Sequence, residues 1–205
     1  MGVSPSGKYF VETQSTITTV PSSFLRSSLD GKIIAAEWVK GMHAPKGMGL
    51  VKGRLYVADI DRVIVIDVAR GVIAETIDVA NAEQLNDVTT DKAGVVYVSD
   101  MKAGRIYALN KGVPSVWLEG LKRPNGVLSR PDAFYVVDSG SLLRVSADKS
   151  RRTVVEGMDA STDGVEHIRG DEFLVSCWAG AIYHVKGAQK QLLLDTRPQK
   201  LNSAD

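Results

Sequence analysis

The chain has a single cysteine, Cys177, so no internal disulfide can brace it. That cysteine sits inside an apolar run, where a buried, inert thiol is expected rather than a nucleophile. No stretch approaches the eighteen or so apolar residues that a membrane-spanning helix needs. Neither sign of charge is in excess, with 25 basic and 24 acidic side chains well mixed along the chain. A nucleic-acid or membrane surface needs clustered Lys and Arg, so nothing here points to either; no nucleic-acid partner and no membrane span are expected. There is no GxGxxG after a strand, no GxxxxGK[ST], no HExxH and no GxSxG elbow, which leaves nucleotide binding, zincin chemistry and a serine-hydrolase elbow without a motif. Gly41–Gly47, with a glycine at each end and one lysine, superficially resembles a phosphate loop but lacks its spacing and the following helix. A helical 3.6-residue apolar period is missing throughout. Met1–Ser6 has no basic start, and no apolar run of a signal's length follows. The expected compartment is therefore the cytoplasm, or an exported location where an upstream signal has been removed.

What is present is repetition. The 205 residues are 44% hydrophobic, enough to build a sizeable core in one domain, and the 19 glycines suit a turn-rich all-β chain. Leu85–Gly120 shows the unit: Asp87–Thr90, Val95–Asp100, Arg105–Leu109 and Val113–Glu119 are short branched or aromatic runs separated by Gly, Asp, Asn and Lys clusters. Such runs read as four antiparallel strands joined by hairpins. The unit recurs. Its openings are Lys46-Gly47, Asn86-Asp87, Asn125-Gly126, Asp163-Gly164 and Ala204-Asp205, spaced 40, 39, 38 and 41 residues apart. Second strands are expected at Leu55–Asp59, Val95–Asp100, Phe134–Asp138 and Phe173–Trp178. Third strands follow at Val63–Asp67, Arg105–Leu109, Leu142–Ser146 and Ala181–Val185, and fourth strands at Ile73–Ile77, Val113–Glu119, Thr153–Glu156 and Gln191–Asp195.

A four-stranded repeat of about 40 residues predicts the blades of a β-propeller in a single all-β domain. Blades are expected over 44–79, 85–120, 124–157 and 162–196, with a partial first blade over 1–43 and the start of another at 201–205. That is about five blades' worth of chain. In the partial blade, Lys8–Thr13 reads as a strand, 14–23 as a Ser/Thr-rich loop, and 24–39 as a hairpin around Asp30-Gly31. Two closures are open: Leu201–Asp205 supplies the inner strand of blade one and closes a five-bladed ring, or the chain is part of a six-bladed ring. An open ring would leave strand edges free for self-association.

In a propeller the first strand of every blade lines one channel, so the openings form a ring of side chains at its mouth. That ring would hold Lys46, Asn86, Asp87, Asn125, Asp163 and Asp205, with His43 in the loop before Lys46 close enough to reach it. Amide and carboxylate oxygens are hard ligands, suited to calcium first, and also to magnesium or manganese, with zinc a further candidate. Lys46 is the discordant member: an ammonium there repels a cation, pairs with Asp205 or holds an anionic substrate. The competing reading is that Asn, Asp and Gly before a strand are simply turn residues. The strand-ending Asp59, Asp100 and Asp138 read as turn and hairpin residues. His167 follows Asp163 in an inner strand, and His184 alternates with Tyr183 in a third strand, where it reads as structural. Trp38, Trp117 and Trp178 read as packing between blades.

The openings L-N-D-V-T-T-D, R-P-N-G-V and T-D-G-V-E, with V-S-C-W-A-G-A-I-Y-H-V, resemble the family of senescence marker protein, gluconolactonase and luciferin-regenerating enzyme. The segments A-P-K-G-M-G-L and L-Y-V-A-D-I-D-R-V-I-V-I-D resemble a bacterial branch of that superfamily and also NHL-repeat propellers. The resemblance covers about residues 22–205 and implies a six-bladed ring. It further implies a divalent metal in the channel, held by an N-terminal Glu, an Asn at an Asn-Gly opening and an Asp at an Asp-Gly opening. A further Asn there contacts the metal's water or the substrate. Carried over, these are Asn125, Asp163 and Asn86. The ring read from the repeat itself makes Asp163 also the catalytic proton acceptor and puts Lys46, Asp87, His43 and Asp205 around the substrate. Val88 stands where the family has a Gly after Asn-Asp, and Met1–Val39 holds no counterpart of the family's Glu motif. The implied activity is metal-dependent hydrolysis of a lactone or small ester. The alternative is a non-enzymatic, NHL-like propeller that binds a small ligand or a protein.

Overall fold

A computed structural model describes residues 2–3, 9–14, 22–28 and 30–202, with side chains described from Phe24 onward. Among them the regular elements are strands and one short 3-10 turn, Arg197–Gln199. No helix among the described residues is long and apolar enough to cross a membrane.

Four four-stranded antiparallel meanders stand in a propeller arrangement. The first is β5 (Pro45–Val51), β6 (Arg54–Asp59), β7 (Arg62–Asp67) and β8 (Val72–Asp78). The second is β9 (Leu85–Thr90), β10 (Val96–Asp100), β11 (Arg105–Asn110) and β12 (Val113–Glu119). The third is β13 (Pro124–Ser129), β14 (Phe134–Asp138), β15 (Ser141–Val145) and β16 (Arg151–Val155). The fourth is β17 (Thr162–Arg169), β18 (Glu172–Cys177), β19 (Ala181–Lys186) and β20 (Gln189–Asp195). Inner strands β5, β9, β13 and β17 pack on one another in that order.

Strand alternation explains the stacking. On β6 and β7, Leu55, Val57, Ile64 and Ile66 face backward, while Ala58, Val63 and Val65 face the second blade, where Val96, Val98, Tyr107 and Leu109 meet them. Period-two alternation with both faces apolar is what a sheet sandwiched between two others requires. The pattern repeats from blade two to three, where Trp117 sits 5.1 Å from Tyr97 and 4.7 Å from Phe134, ring centre to ring centre. It repeats again from blade three to four, through Tyr135 and Phe173.

The expected count of about five blades of a six-bladed ring is corrected: among the described residues four blades are formed. The N-terminal segments β1 (Gly2–Val3), β2 (Tyr9–Gln14), β3 (Ser22–Ser28) and β4 (Ile33–Met42) make a further four-stranded sheet packed on the first blade through Phe24, Val39 and Met42. Its departure from the repeat is physical. β4 runs ten residues and slips register against β3 three times, between Ser22 and Phe24, Phe24 and Arg26, and Arg26 and Ser27. At the other end, Leu201 is not in a strand; its carbonyl accepts the Thr196 hydroxyl at 2.6 Å, against the turn of the fourth blade. Asp205, expected in the channel ring, lies outside the described residues. Trp178 also departs from expectation. It is 58% exposed just past β18, rather than packed between blades.

A repeated device fastens each inner strand. Asp59, Asp100 and Asp138 end the second strands, and their carboxylates reach back to the loop that feeds their own blade's first strand. Asp59 accepts the His43 and Ala44 amides at 2.9 and 2.7 Å. Asp100 accepts those of Glu83, Gln84 and Ala103 at 2.8, 3.0 and 3.0 Å. Asp138 accepts those of Lys122 and Arg123 at 3.1 and 2.6 Å. In the fourth blade the same register position is Cys177, opposite Thr162. There the carboxylate has moved to the loop: Asp159 accepts the Ser161 amide and hydroxyl at 2.9 and 2.6 Å and pairs with Arg197 at 3.2 Å.

The Ser161 hydroxyl, foremost, and Arg197 hold the Asp159 carboxyl below its usual range against the opposing effect of burial. A lowered folded-state pKa stabilises the fold above the ordinary carboxylate range, about pH 4, and the contribution is lost as the pH falls through the lower folded value. Asp159→Asn is therefore expected to unfold at lower temperature than wild type at pH 7, with the gap closing as the pH falls well below 4. A gap that stays constant across a pH series of melting curves would contradict this.

Cys177 is fully buried, and burial, reinforced by the charges of Asp159 and Asp163, pushes its thiol up to about 12. At pH 8 its thiolate fraction is then about a thousandfold below that of an ordinary thiol. A disulfide reagent should label the native chain at least that much more slowly than the denatured one; equal rates would contradict this packing.

Candidate functional site

The four openings are not turns. In each blade two residues of the inner strand oppose one residue of the next strand, which makes a β-bulge. Lys46 and Gly47 lie opposite Ala58, Asn86 and Asp87 opposite Ser99, Asn125 and Gly126 opposite Val137, and Asp163 and Gly164 opposite Ser176. The reading of these pairs as tight turns is thereby replaced. Gly47 and Gly126 owe their identity to close approach rather than to a left-handed backbone. A Cβ on Gly126 would stand 2.3 Å from the Asp163 carbonyl, and one on Gly47 would stand 2.6 Å from Asp87 Cα. The bulge frees a backbone N–H. In blades two and four a serine takes it: Ser99 Oγ accepts from Asp87 at 2.9 Å, and Ser176 Oγ accepts from Gly164 at 2.8 Å.

The bulge re-aims the first residue of each pair. Asn125 and Asp163 are both buried, and the Asn125 amide Nδ2 donates to Asp163 Oδ1 at 2.7 Å across the seam between blades three and four. The other end of that amide, Asn125 Oδ1, is buried with no hydrogen-bond partner among the described residues. Buried acceptors are almost always satisfied, so this one marks a place for a donor or a cation.

The remaining candidates divide. Asn86 holds the same bulge position on β9 and is half-buried, its Nδ2 3.7 Å from Met101 Sδ. Lys46 holds that position on β5 and is also half-buried. Asp87 works as a stitch between blades, with one carboxylate oxygen accepting the Val88 amide and the other accepting Val127's, each at 2.8 Å. His43 is exposed in the loop between β4 and β5. His167 sits toward the far end of β17, its Nε2 3.0 Å from the Gly170 carbonyl, and His184 meets Glu172 at 3.1 Å.

The donor set fits a hard divalent cation in kind: an amide oxygen without a partner beside a carboxylate. Among the described residues no three His, Cys, Asp or Glu side chains come together to hold a metal, so amide oxygens are essential to any such site. What sequence reasoning missed is the bulge itself, and with it the cross-blade pairing of Asn125 with Asp163. The signal available was the placement of each Asn-Gly or Asp-Gly pair directly against a strand, without the opposing hairpin strand that a turn implies.

The architecture is that of a β-propeller, and the comparisons with known structures agree. Over 88% of its length the chain superposes on a chain of a nidogen–laminin complex, with a TM-score of 0.70, 16% identity and 74% of that chain covered. A catalytically inactive virginiamycin B lyase from Staphylococcus aureus, with quinupristin, gives 0.68, 13% identity, and 88% and 65% coverage of the two chains. A streptogramin B lyase gives 0.62, 12% identity, and 90% and 58% coverage. The chain thus spans somewhat under two thirds of the length of both lyases. At these identities the likeness is one of fold. No protein-family model matches the chain, and no curated protein matches it in sequence.

Proposed function

We propose that the channel mouth binds a divalent cation, calcium foremost, and hydrolyses a lactone or similar small ester there. The observation that carries this reading is the buried Asn125–Asp163 pair with its unsatisfied Asn125 oxygen. The order of the Asn-Gly and Asp-Gly openings, which resembles that of gluconolactonase-like propellers, supports it too. Asn125 Oδ1 and the Asp163 carboxylate would hold the cation, with the Asn86 amide on the neighbouring bulge. When bound, the cation polarises a carbonyl and makes a water more acidic. The chain's own contribution is positional. Asn125 orients the Asp163 carboxylate through its amide, and Asp163 takes the proton of the attacking water. Lys46 and the exposed His43 would stand on the rim, where an ammonium suits an anionic substrate group. Asp87 supports the site by tying β9 to β13.

The test is turnover of a panel of lactones and aryl esters by the purified chain with calcium, manganese or zinc, before and after chelation. Turnover should need the metal and fall by about 10²–10⁴-fold in Asp163→Asn, as for loss of a general base. Metal-independent turnover, or full activity in Asp163→Asn, would sink the proposal. A second reading, a propeller that binds a ligand or protein without catalysis, draws on Lys46 in the ring and on the engagement of Asp87 by backbone amides. Absence of any metal-dependent turnover would favour it.

A further inference from the structure

The residue directly after each second strand holds a repeated position. Ile60, Met101, Ser139 and Trp178 follow the strand ends Asp59, Asp100, Asp138 and Cys177. In blades two and four the backbone fixes that position beside the bulge. The Met101 amide donates to the Gln84 carbonyl at 3.0 Å, and the Trp178 amide to that of Ser161 at 2.8 Å. Gln84 and Ser161 stand equally far before the first bulge residues, Asn86 and Asp163. Met101 shows what a side chain can reach from there: its Sδ is 3.7 Å from Asn86 Nδ2. Ile60 comes to the same segment from the first blade. It bridges Leu85, the residue before Asn86, and its carbonyl accepts the Leu85 amide at 2.7 Å.

Three of these four residues are apolar, and the position is open to solvent with the next blade in place. A further blade follows both Ile60 and Met101, yet Ile60 is 37% exposed and Met101 only half-buried. Ile60 also has a φ of +65°, a left-handed backbone that strains a β-branched residue and that asparagine tolerates. The turn itself therefore gives no reason for an isoleucine. A single exposed apolar side chain needs no explanation. Here one register position is apolar in three blades, and it lies beside Asn86 in two of them and, by backbone register, beside Asp163 in the third.

Resting on the reading of the mouth as a lactone- or ester-binding site, we propose that its substrate carries an apolar alkyl or aryl substituent, which Ile60, Met101 and Trp178 hold while Asn86, Asn125 and Asp163 face the carbonyl group. Small-molecule sites combine an apolar lining with a few polar groups that fix orientation, and this rim is that lining. A polyhydroxylated lactone suits it poorly. Each hydroxyl taken from water needs a partner, and the three side chains bring one strong donor, the indole N–H, and no strong acceptor. The rim residues set substrate specificity and take no part in holding the cation.

The test uses the calcium-loaded chain and a series of five-membered lactones with side chains from methyl to octyl, beside a polyhydroxylated lactone of the same ring size. The matching lactams, which are not hydrolysed, are titrated calorimetrically. In wild type, kcat/KM and lactam affinity should both rise about two- to fourfold per added methylene, the upper figure being that for a fully buried methylene. The polyhydroxylated lactone should be the poorest substrate. Ile60→Asn, which relieves the left-handed strain and so keeps the fold, and Trp178→Ser should each flatten the dependence on chain length through KM, with calcium affinity as in wild type. No dependence on chain length in wild type would overturn the proposal, as would a dependence that both variants retain, or a preference for the polyhydroxylated lactone. The lactams separate this inference from the hydrolysis it rests on. Length-dependent lactam binding without lactone turnover would uphold the rim and sink the hydrolysis, whereas turnover without length dependence would sink the rim and leave the hydrolysis standing.

Discussion

Gly126→Ala is expected to cost about 3 kcal/mol of stability, the upper part of the range for overpacking a close contact. Its melting temperature should fall by about 6–12 °C for a domain of this size. The reason is local and steric. Gly126 is in an ordinary backbone conformation that alanine adopts freely, but its Cβ would meet the Asp163 carbonyl at 2.3 Å and Gly164 Cα at 2.9 Å. These are backbone atoms of the next blade's inner strand and cannot rotate aside, so β13 and β17 must separate. Separation would also pull Asn125 from Asp163, so cation binding should weaken with stability. Gly53 is the control. Its φ is +78° and a Cβ there meets nothing within 4 Å, so Gly53→Ala should cost only the backbone strain, about 1 kcal/mol. Asparagine, which tolerates a left-handed backbone, should be accepted at 53 and rejected at 126. Equal melting temperatures for Gly126→Ala and wild type would mean that the inner strands are not in contact there.

Asp100→Ala is expected to destabilise the chain by about 3–5 kcal/mol, because it strips the acceptor from several backbone amides at once. Asp100 is fully buried, and its two oxygens take the amides of Glu83, Gln84, Lys102 and Ala103. These amides belong to the loop entering β9 and to the turn after β10, so the carboxylate fixes both ends of the inner hairpin. Asp100→Asn keeps one acceptor oxygen and turns a donor toward the remaining amides, so it should recover only part of the loss. Asp132→Ala is the surface comparison. Asp132 makes exposed contacts with Arg130 and Arg144, and its loss should cost about 1 kcal/mol or less. Chemical denaturation of the three variants against wild type gives the ranking. Similar stabilities for Asp100→Ala and Asp132→Ala would contradict the fastening role.

Much of the fold could be read from local pattern. The second, third and fourth strands of the four blades fall within two residues of their expected bounds, as for β14 at Phe134–Asp138 and β12 at Val113–Glu119. Alternation and Gly/Asp punctuation are local signals, and a meander needs little else. The expected strand at Lys8–Thr13 and the hairpin around Asp30-Gly31 also correspond to β2 and to the β3–β4 pair. The blade count was not legible, because the described residues of the N-terminal sheet show neither the bulge opening that marks the other four nor the terminal aspartate of the first three. Nor was the chemistry of the openings. Asn125-Gly126 reads as a turn by composition, and only the register of β13 against β14 shows a bulge. The role of Gly126 depends on a strand 38 residues onward, a contact that no short window contains. Asp59, Asp100 and Asp138 were visible as a recurring residue. Their partners sit 15 to 17 residues upstream, and the exchange of that carboxylate for Cys177, with Asp159 taking over, is visible only in three dimensions.

The measurement that bears most directly on the proposed site is calorimetric titration of the purified chain with calcium, manganese and zinc, beside Asp163→Ala and Asn125→Ala. The account predicts one-to-one binding in wild type, abolished by Asp163→Ala and weakened by Asn125→Ala, with both variants still folded. No heat of binding in wild type, or binding that survives Asp163→Ala unchanged, would contradict it and reduce the Asn125–Asp163 pair to a hydrogen bond that holds two blades together.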